Sequence, residues 1–120
     1  MKTELFIKTY NNKVLPDAGC YVSPEYKKFQ NAFHLEVKKA AESIGAEVVK
    51  KTNGHYFVSG FVKKGEKYVY YSYAPRTKVE LDRTGILIRT AEHVRDFTGG
   101  ANNYVNFCGL ARGLEILFSK

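Results

Sequence analysis

The residues with the clearest chemical potential form a glycine- and asparagine-rich segment that follows Arg95. Two adjacent glycines adopt backbone angles closed to other residues, and adjacent asparagines tolerate the left-handed region. Successive exposed N–H groups in such a segment can form a concavity that holds an anion. The segment lacks the signatures of nucleotide-binding loops, so a tight turn without a ligand is the alternative. The candidate binding residues here are Thr98, Gly99, Gly100, Asn102, Asn103 and Tyr104.

A second group of candidates is basic. Guanidinium groups bind phosphates through two hydrogen bonds and require no base-specific geometry. Glu80 and Asp82 lie among these residues, so a solvated loop with local ion pairs is an equally good interpretation. The strand that carries Arg89 leads towards Arg95 and the glycine pair, and we expect all of them to share one surface. The basic candidates are Arg76, Lys78, Arg83, Arg89 and Arg95.

Alternating tyrosines in the stretch Lys67–Ala74 form the third candidate site. In a strand, Tyr71 and Tyr73 share one face, and Tyr68 and Tyr70 share the other. One face should lie against a helix, and the other should meet solvent or a partner. Exposed tyrosines on a sheet resemble the stacking platforms of proteins that bind single-stranded nucleic acid. Tyrosine is also a good strand former with a wettable tip, which requires no ligand.

Acid–base chemistry would have to come from the histidines. His55 and His93 flank strands, and a small nuclease or transferase could use them as acid and base. His34 is expected at the periphery of a helix. The chain has no His-x-x-x-His, no Cys-x-x-Cys and no paired carboxylates. The sequence therefore predicts no metal site, no cofactor and no assigned catalytic residue, and favours binding over catalysis.

The charge balance favours an anionic partner. The chain of 120 residues has 19 Lys and Arg against 12 Asp and Glu, and a net charge of +7. Such an excess is typical of proteins that bind nucleic acid, nucleotides or acidic protein surfaces, although lysines also serve solubility alone. The length fits one domain, residues 1–120.

Cellular location is predicted from what the sequence lacks. No window approaches the ~18 apolar residues of a membrane span, and the first residues do not form a signal peptide. We therefore expect a cytoplasmic protein that does not contact membranes. Cys20 and Cys108 are then expected to be free, buried thiols.

The elements that position these residues follow from changes in periodicity. Between Pro24 and Gly45, apolar side chains recur at spacings of three and four, which predicts a long amphipathic helix. Strands are predicted at 46–51, 55–62, 67–74 and 86–91, with turns at 52–54 and 63–66. Gly60 marks a bulge or a close backbone approach.

The sequence allows two interpretations for each of two segments. Residues 3–10 could form a strand or a helical turn. Residues 104–118 could form a short helix and a last strand, or one continuous helix. The predicted fold class is α+β: an antiparallel β-meander of about four to five strands with one long amphipathic helix packed on one face.

Four short segments carry a resemblance to known proteins. They are Tyr56–Phe61, Lys67–Ser72, Ile86–Ala91, and Asp96–Gly100 with Asn102–Tyr104. They resemble a family of small uncharacterised accessory proteins from phages and other mobile elements of Gram-positive and gut bacteria. The resemblance implies a more acidic segment at residues 74–76, so this chain departs from the family pattern there. The resemblance implies a setting, the cytoplasm of a bacterial host cell, rather than an activity, since such proteins often inhibit host defences such as CRISPR or nucleotide signalling.

We therefore expect a non-catalytic binding protein of a phage or mobile element. It would engage nucleic acid or a phosphorylated nucleotide through a basic face and thereby counter host defence. One alternative is a protein inhibitor that docks directly on a CRISPR-type nuclease or another defence effector. Another is a small nuclease or transferase that uses His55 and His93. The sequence does not predict the oligomeric state.

Overall fold

Three helices and five strands account for most of the described chain. The computed structural model describes residues 3–11, 24–54, 57–74, 85–96 and 100–120. The helices are α1 (Thr3–Tyr10), α2 (Pro24–Ser43) and α3 (Leu110–Phe118). The strands are β1 (Glu47–Asn53), β2 (Val58–Lys64), β3 (Lys67–Tyr73), β4 (Ile86–Ala91) and β5 (Asn103–Val105).

α2 is the long amphipathic helix that the apolar spacing predicts. Pro24 begins it, at a position where a backbone N–H would have no partner within the helix. Gly45 follows its end with φ of 77°, a backbone angle that glycine adopts without strain. The buried apolar side chains of α2 are Tyr26, Phe29, Phe33, Val37 and Ala41.

The strands form one antiparallel sheet in the order β1-β2-β3-β4-β5. Neighbours in sequence are neighbours in space, so the predicted meander and the α+β fold class are confirmed. Gly65, with φ of 62°, lies in the turn between β2 and β3, as predicted. Gly60 is a close backbone approach, because a Cβ there would collide with the Lys50 carbonyl oxygen and lie 2.5 Å from the Tyr71 hydroxyl. A register shift between Val48 and Lys50 marks a bulge in β1.

The core lies between the helices and one face of the sheet. Phe33 is fully buried there, as predicted. Its ring stacks on Tyr73 with centroids 5.4 Å apart and meets Phe107 edge-on at 5.1 Å. The sheet residues of this face are Val58, Val62, Val69, Tyr71, Tyr73, Ile86 and Ile88.

In both segments with two interpretations the helix is found, at residues 3–10 and at residues 110–118. Residues 3–10 form α1, and α3 is continuous and buries Leu110, Leu114 and Leu117 without a following strand. The three-residue strand β5 was not predicted. Cys108 is exposed, so the prediction of a buried thiol is wrong for this residue. Within the described residues, none of the helices is long and apolar enough to cross a membrane.

Candidate nucleic-acid interface

The face of the sheet opposite the core, called the outer face here, carries the side chains that alternate with the core positions. The predicted division of the tyrosines in β3 is confirmed: Tyr71 and Tyr73 are buried in the core, whereas Tyr68 and Tyr70 are half-buried on the outer face. The outer face consists of Ser59, Phe61, Lys63, Tyr68, Tyr70, Ser72, Leu87, Arg89 and Tyr104.

One cross-strand row combines aromatic rings with cations. The strand registers place Lys50, Phe61, Tyr70 and Arg89 side by side on four neighbouring strands. The rings of Phe61 and Tyr70 are 5.1 Å apart, and the Arg89 guanidinium carbon lies 4.5 Å from the Tyr70 ring centre. A cation over a ring face is attracted by the ring quadrupole, most strongly when both groups are desolvated. The row therefore packs the Arg89 guanidinium against aromatic side chains, of which Phe61 is buried and Tyr70 is half-buried.

The adjacent row repeats this arrangement in a more accessible form. Lys63 and Tyr68 are opposite each other in the register of β2 and β3, and both are half-buried. The Lys63 Nζ atom lies 5.5 Å from the Tyr68 ring centre. Glu47 is opposite Lys63 on β1 and contributes one acidic neighbour. Because a lysine head group is flexible, Lys63 can leave the ring and meet an anion.

Arg89 is buried, with an exposed fraction of 4%. It therefore does not act as a solvated phosphate ligand, and its guanidinium packs over the Tyr70 ring instead. The groups that can meet a ligand directly are the half-buried Lys63, Tyr68 and Tyr70 and the exposed Tyr104.

The turn after β4 is held by its own side chains. Arg95 is exposed, and its backbone N–H donates to the His93 Nδ1 atom at 3.1 Å. The buried Asp96 carboxylate accepts a hydrogen bond from the Glu92 backbone N–H at 2.9 Å. His93 thus accepts a hydrogen bond within the turn, and this contact holds the backbone of Arg95 in place.

Gly100 packs on the end of β4. Its φ is 68°, and a Cβ at this position would lie 2.5 Å from Thr90 Oγ1 and 2.7 Å from the Thr90 carbonyl oxygen. The glycine is therefore required for packing, which supports the interpretation of this residue as structural. Asn102 is exposed, and the Asn103 amide donates to the Ala101 carbonyl oxygen at 3.0 Å. Tyr104 lies opposite Leu87 on the outer face and is 56% exposed.

Several predicted site residues lie outside the described residues. They are Arg76, Lys78, Arg83, Thr98, Gly99 and the candidate acid–base residue His55. Their roles stay predictions, as does the shared surface of Arg89, Arg95 and the 98–104 segment.

His34 is buried, so the expectation of a peripheral histidine is wrong. Its Nδ1 atom lies 2.6 Å from the Tyr71 hydroxyl, and its Nε2 atom lies 2.7 Å from Asn53 Oδ1. The Asn53 amide nitrogen donates to Asn31 Oδ1 at 3.2 Å. With the Asn53 oxygen facing the ring, Nε2 carries the proton of the neutral ring, and the Tyr71 hydroxyl donates to Nδ1.

Burial determines the protonation of this buried pair. It lowers the pKa of His34 below its usual value of 6.5, and the nearby charge of Lys51 acts in the same direction. Burial also raises the pKa of the Tyr71 hydroxyl. Both side chains are therefore neutral near pH 7, and each nitrogen of the His34 ring has a hydrogen-bond partner.

The sequence reasoning missed the contributions of Lys50, Phe61 and Lys63. Strand alternation could have assigned Phe61 and Lys63 to one face, but only the two-residue turn at Gly65 sets them opposite Tyr70 and Tyr68. Among the described residues, no group of three or more His, Cys, Asp or Glu side chains could hold a metal ion. No protein-family model, curated protein or solved structure matches this chain.

Proposed function

We propose that this protein binds single-stranded nucleic acid through its outer face and performs no chemistry on it. The observation that carries the proposal is the pairing of aromatic rings with cations in two adjacent rows, Tyr70 with Arg89 and Tyr68 with Lys63. Rings provide stacking surfaces for bases of any sequence, and the accessible Lys63 neutralises a phosphate beside them, whereas the buried Arg89 supports the Tyr70 ring.

The spacing of the rings favours an extended single strand over a duplex. Tyr68 and Tyr70 are two residues apart on one face of β3, which is a separation of about 6.6 Å. This is about twice the 3.4 Å rise of a stacked strand, so neighbouring bases reach both rings only when they are unstacked. A duplex keeps its bases stacked and presents only its phosphates to this surface.

The biological setting of the proposal comes from the resemblance to accessory proteins of phages and mobile elements. In that setting a cytoplasmic binder of nucleic acid, or of a phosphorylated nucleotide, would counter host defence by sequestering a guide, a target strand or a signal. A nucleotide shares the ring and phosphate chemistry of a strand but offers only one base. The two ligands are therefore distinguished by the dependence of affinity on length.

The proposal is tested by fluorescence anisotropy with labelled single strands of about 10 nucleotides, a matched duplex and a single nucleotide. Titrations at about 50 and 200 mM salt measure the salt dependence of the association constant. We expect the single strand to bind most tightly. Lys63→Gln should reduce the slope of log K against log salt by about 0.7, the effect of one lost phosphate contact.

Two further variants separate stacking from charge. Tyr68→Ala should weaken binding by ~1–3 kcal/mol and leave the salt slope unchanged. Lys27→Gln removes an exposed lysine of α2, outside the outer face, and should change neither quantity. Equal losses in Lys27→Gln and Lys63→Gln, or no binding at low salt, would overturn the proposal.

The absence of nucleic-acid binding would favour the direct inhibitor of a CRISPR-type nuclease or another defence effector. Co-purification of such an effector that survives nuclease treatment would support that alternative, because a bridging nucleic acid would be destroyed.

A further inference from the structure

A second cavity lies away from the outer face, in a groove between α2 and β1. Its volume is about 760 Å³, within the usual range of ligand sites, about 300–1,000 Å³. The turn at Gly45 joins the helix to the strand, and a hydrogen bond between Asn31 and Asn53 connects them again at the other end. The groove therefore has a turn end and an asparagine end, and the chemistry of the two ends differs.

The asparagine end offers hydrogen-bond donors. Asn53 Oδ1 lies 2.7 Å from His34 Nε2, and Asn31 Oδ1 accepts from the Asn53 amide nitrogen at 3.2 Å. Each amide oxygen thus already accepts a hydrogen bond. The Asn31 amide nitrogen has no acceptor within the described residues, and the Asn53 nitrogen keeps a second N–H. A ligand group at this end must therefore accept hydrogen bonds.

Lys51 adds a positive charge to the same end. The strand register pairs Lys51 with Gly60 and Asn53 with Val58, so both side chains leave β1 on the side of the core and α2. Lys51 lines the groove and makes no ion pair with any other residue that the structure describes. Its charge lies close enough to the His34 ring to help lower the pKa of that ring. An acceptor at this end should therefore be negatively charged.

The rest of the groove is apolar in its middle and acidic near the turn. Leu35 is 45% exposed, and Val48 is half-buried. Lys38 lines the groove as well, and its ion pair with Glu42 is weak, with a 3.9 Å separation and both side chains more than half exposed. Glu42 and Glu47 flank the turn in sequence, so the carboxylates of the groove lie away from the asparagines. An anionic group is therefore favoured only at the asparagine end.

We propose that this groove binds a small organic anion with an apolar body. The head group, a carboxylate or a phosphate, accepts hydrogen bonds from the amides of Asn31 and Asn53 and is neutralised by Lys51. The body covers Leu35 and Val48. The donors select an anionic acceptor, and the exposed leucine selects an apolar body. Because the groove is separate from the outer face, this inference does not depend on nucleic-acid binding.

The experiment titrates the full chain with three probes of equal chain length: n-octanoate, n-octyl phosphate and n-octanol. Isothermal titration calorimetry measures the affinities. We expect the anions to bind about tenfold more tightly than octanol, which is the effect of one hydrogen bond to a charged group. The comparison of octanoate with octyl phosphate distinguishes a carboxylate ligand from a phosphate ligand.

Three variants test the two parts of the site. Lys51→Gln should weaken both anions by about tenfold and have little effect on octanol. Lys8→Gln removes an exposed lysine of α1, is the matched control and should change no affinity. Leu35→Ala should weaken octanoate by about fourfold, the effect of one lost CH₂ contact. Lys51 and Leu35 are both exposed, so the core is kept in these variants.

A spectroscopic signal locates the head group. Binding of octanoate should shift the NMR resonances of the His34 ring, because Asn53 contacts both that ring and the head group. Equal affinities of octanoate and octanol, an unchanged His34 signal, or an equal loss in Lys8→Gln would overturn the proposal. Displacement of octanoate by a single-stranded oligonucleotide would also overturn it, because the probe would then occupy the outer face.

Discussion

The two faces of β3 carry tyrosines at alternating positions, but the surroundings of the two sets differ. On the core face, the rings of Tyr71 and Tyr73 both stack on Phe33. The Tyr71 hydroxyl is also hydrogen-bonded to His34. On the outer face, Tyr68 and Tyr70 contact cations instead of apolar helix side chains. Periodicity sorts the tyrosines into two sets, whereas contacts with side chains from other elements determine which set joins the core.

The largest difference between the two faces should appear on truncation of an aromatic side chain. Phe33→Ala removes a fully buried ring and should lower the free energy of unfolding by ~3–5 kcal/mol. Tyr68→Ala, on the outer face, should lower it by about 1 kcal/mol or less. Urea unfolding of both variants measures these free energies. Equal losses of stability would contradict the assignment of Phe33 to the core and Tyr68 to the surface.

A smaller loss of stability is expected at Gly60, where the strand backbone lies close to core side chains. Gly60→Ala introduces a methyl group against the Lys50 carbonyl oxygen and the Tyr71 hydroxyl, and should cost ~1–3 kcal/mol. Gly85→Ala is the matched control, because its new methyl group would lie at an ordinary distance of 3.5 Å from Tyr73. Thermal or urea unfolding compares the two, and similar stabilities would show that Gly60 has room for a side chain.

The hydrogen bond between the Tyr71 hydroxyl and His34 can be removed while the Tyr71 ring is kept. Tyr71→Phe leaves the buried His34 Nδ1 atom without its donor and should cost ~1–3 kcal/mol. Tyr68→Phe, on the other face, is the control for loss of a tyrosine hydroxyl. A Tyr71→Phe variant as stable as the parent would mean that water replaces the lost hydroxyl.

The buried histidine predicts a pH dependence of stability. Burial lowers the pKa of His34 in the folded state, so the unfolded chain binds more protons at acidic pH. This contribution to stability is present above pH 6.5 and is lost as the pH falls through the folded-state pKa. Urea unfolding from pH 7.5 down to about 5 should show the loss, and His34→Gln should make the profile flatter. An unchanged profile in that variant would assign the dependence to other groups.

The smallest change in stability is expected on the outer face at β5. Tyr104→Ala removes an exposed side chain and should alter the free energy of unfolding by no more than about 0.5 kcal/mol. If a base stacks on this ring, affinity for a single strand should fall by ~1–3 kcal/mol in the same variant. Anisotropy titration provides the measurement, and unchanged affinity would exclude Tyr104 from the interface.

Long periodic segments were predictable from the sequence because many residues repeat one signal. The stripe from Tyr26 to Ala41 identified α2, and the alternation of Lys67–Tyr73 identified β3 and its two faces. β5 has only three residues, too few to establish a period, and it exists because β4 supplies its partner.

The candidate sites depend on contacts between distant residues, which local patterns do not contain. His34 was expected at the periphery because its helix neighbours give no sign of Tyr71, which lies 37 positions later in the chain. The contact of Arg89 with the Tyr70 ring likewise depends on the register between β3 and β4.

The outermost strands of the described sheet also bear on self-association. β1 is interrupted by the bulge at Val48 and carries Lys50 and Lys51, and β5 is only three residues long. Straight, long and apolar edges act as templates on which further copies polymerise, and bulges, lysines and shortness oppose this growth. A chain with nine tyrosines and eight phenylalanines can therefore accumulate in a cell with less danger of fibril formation at these two borders.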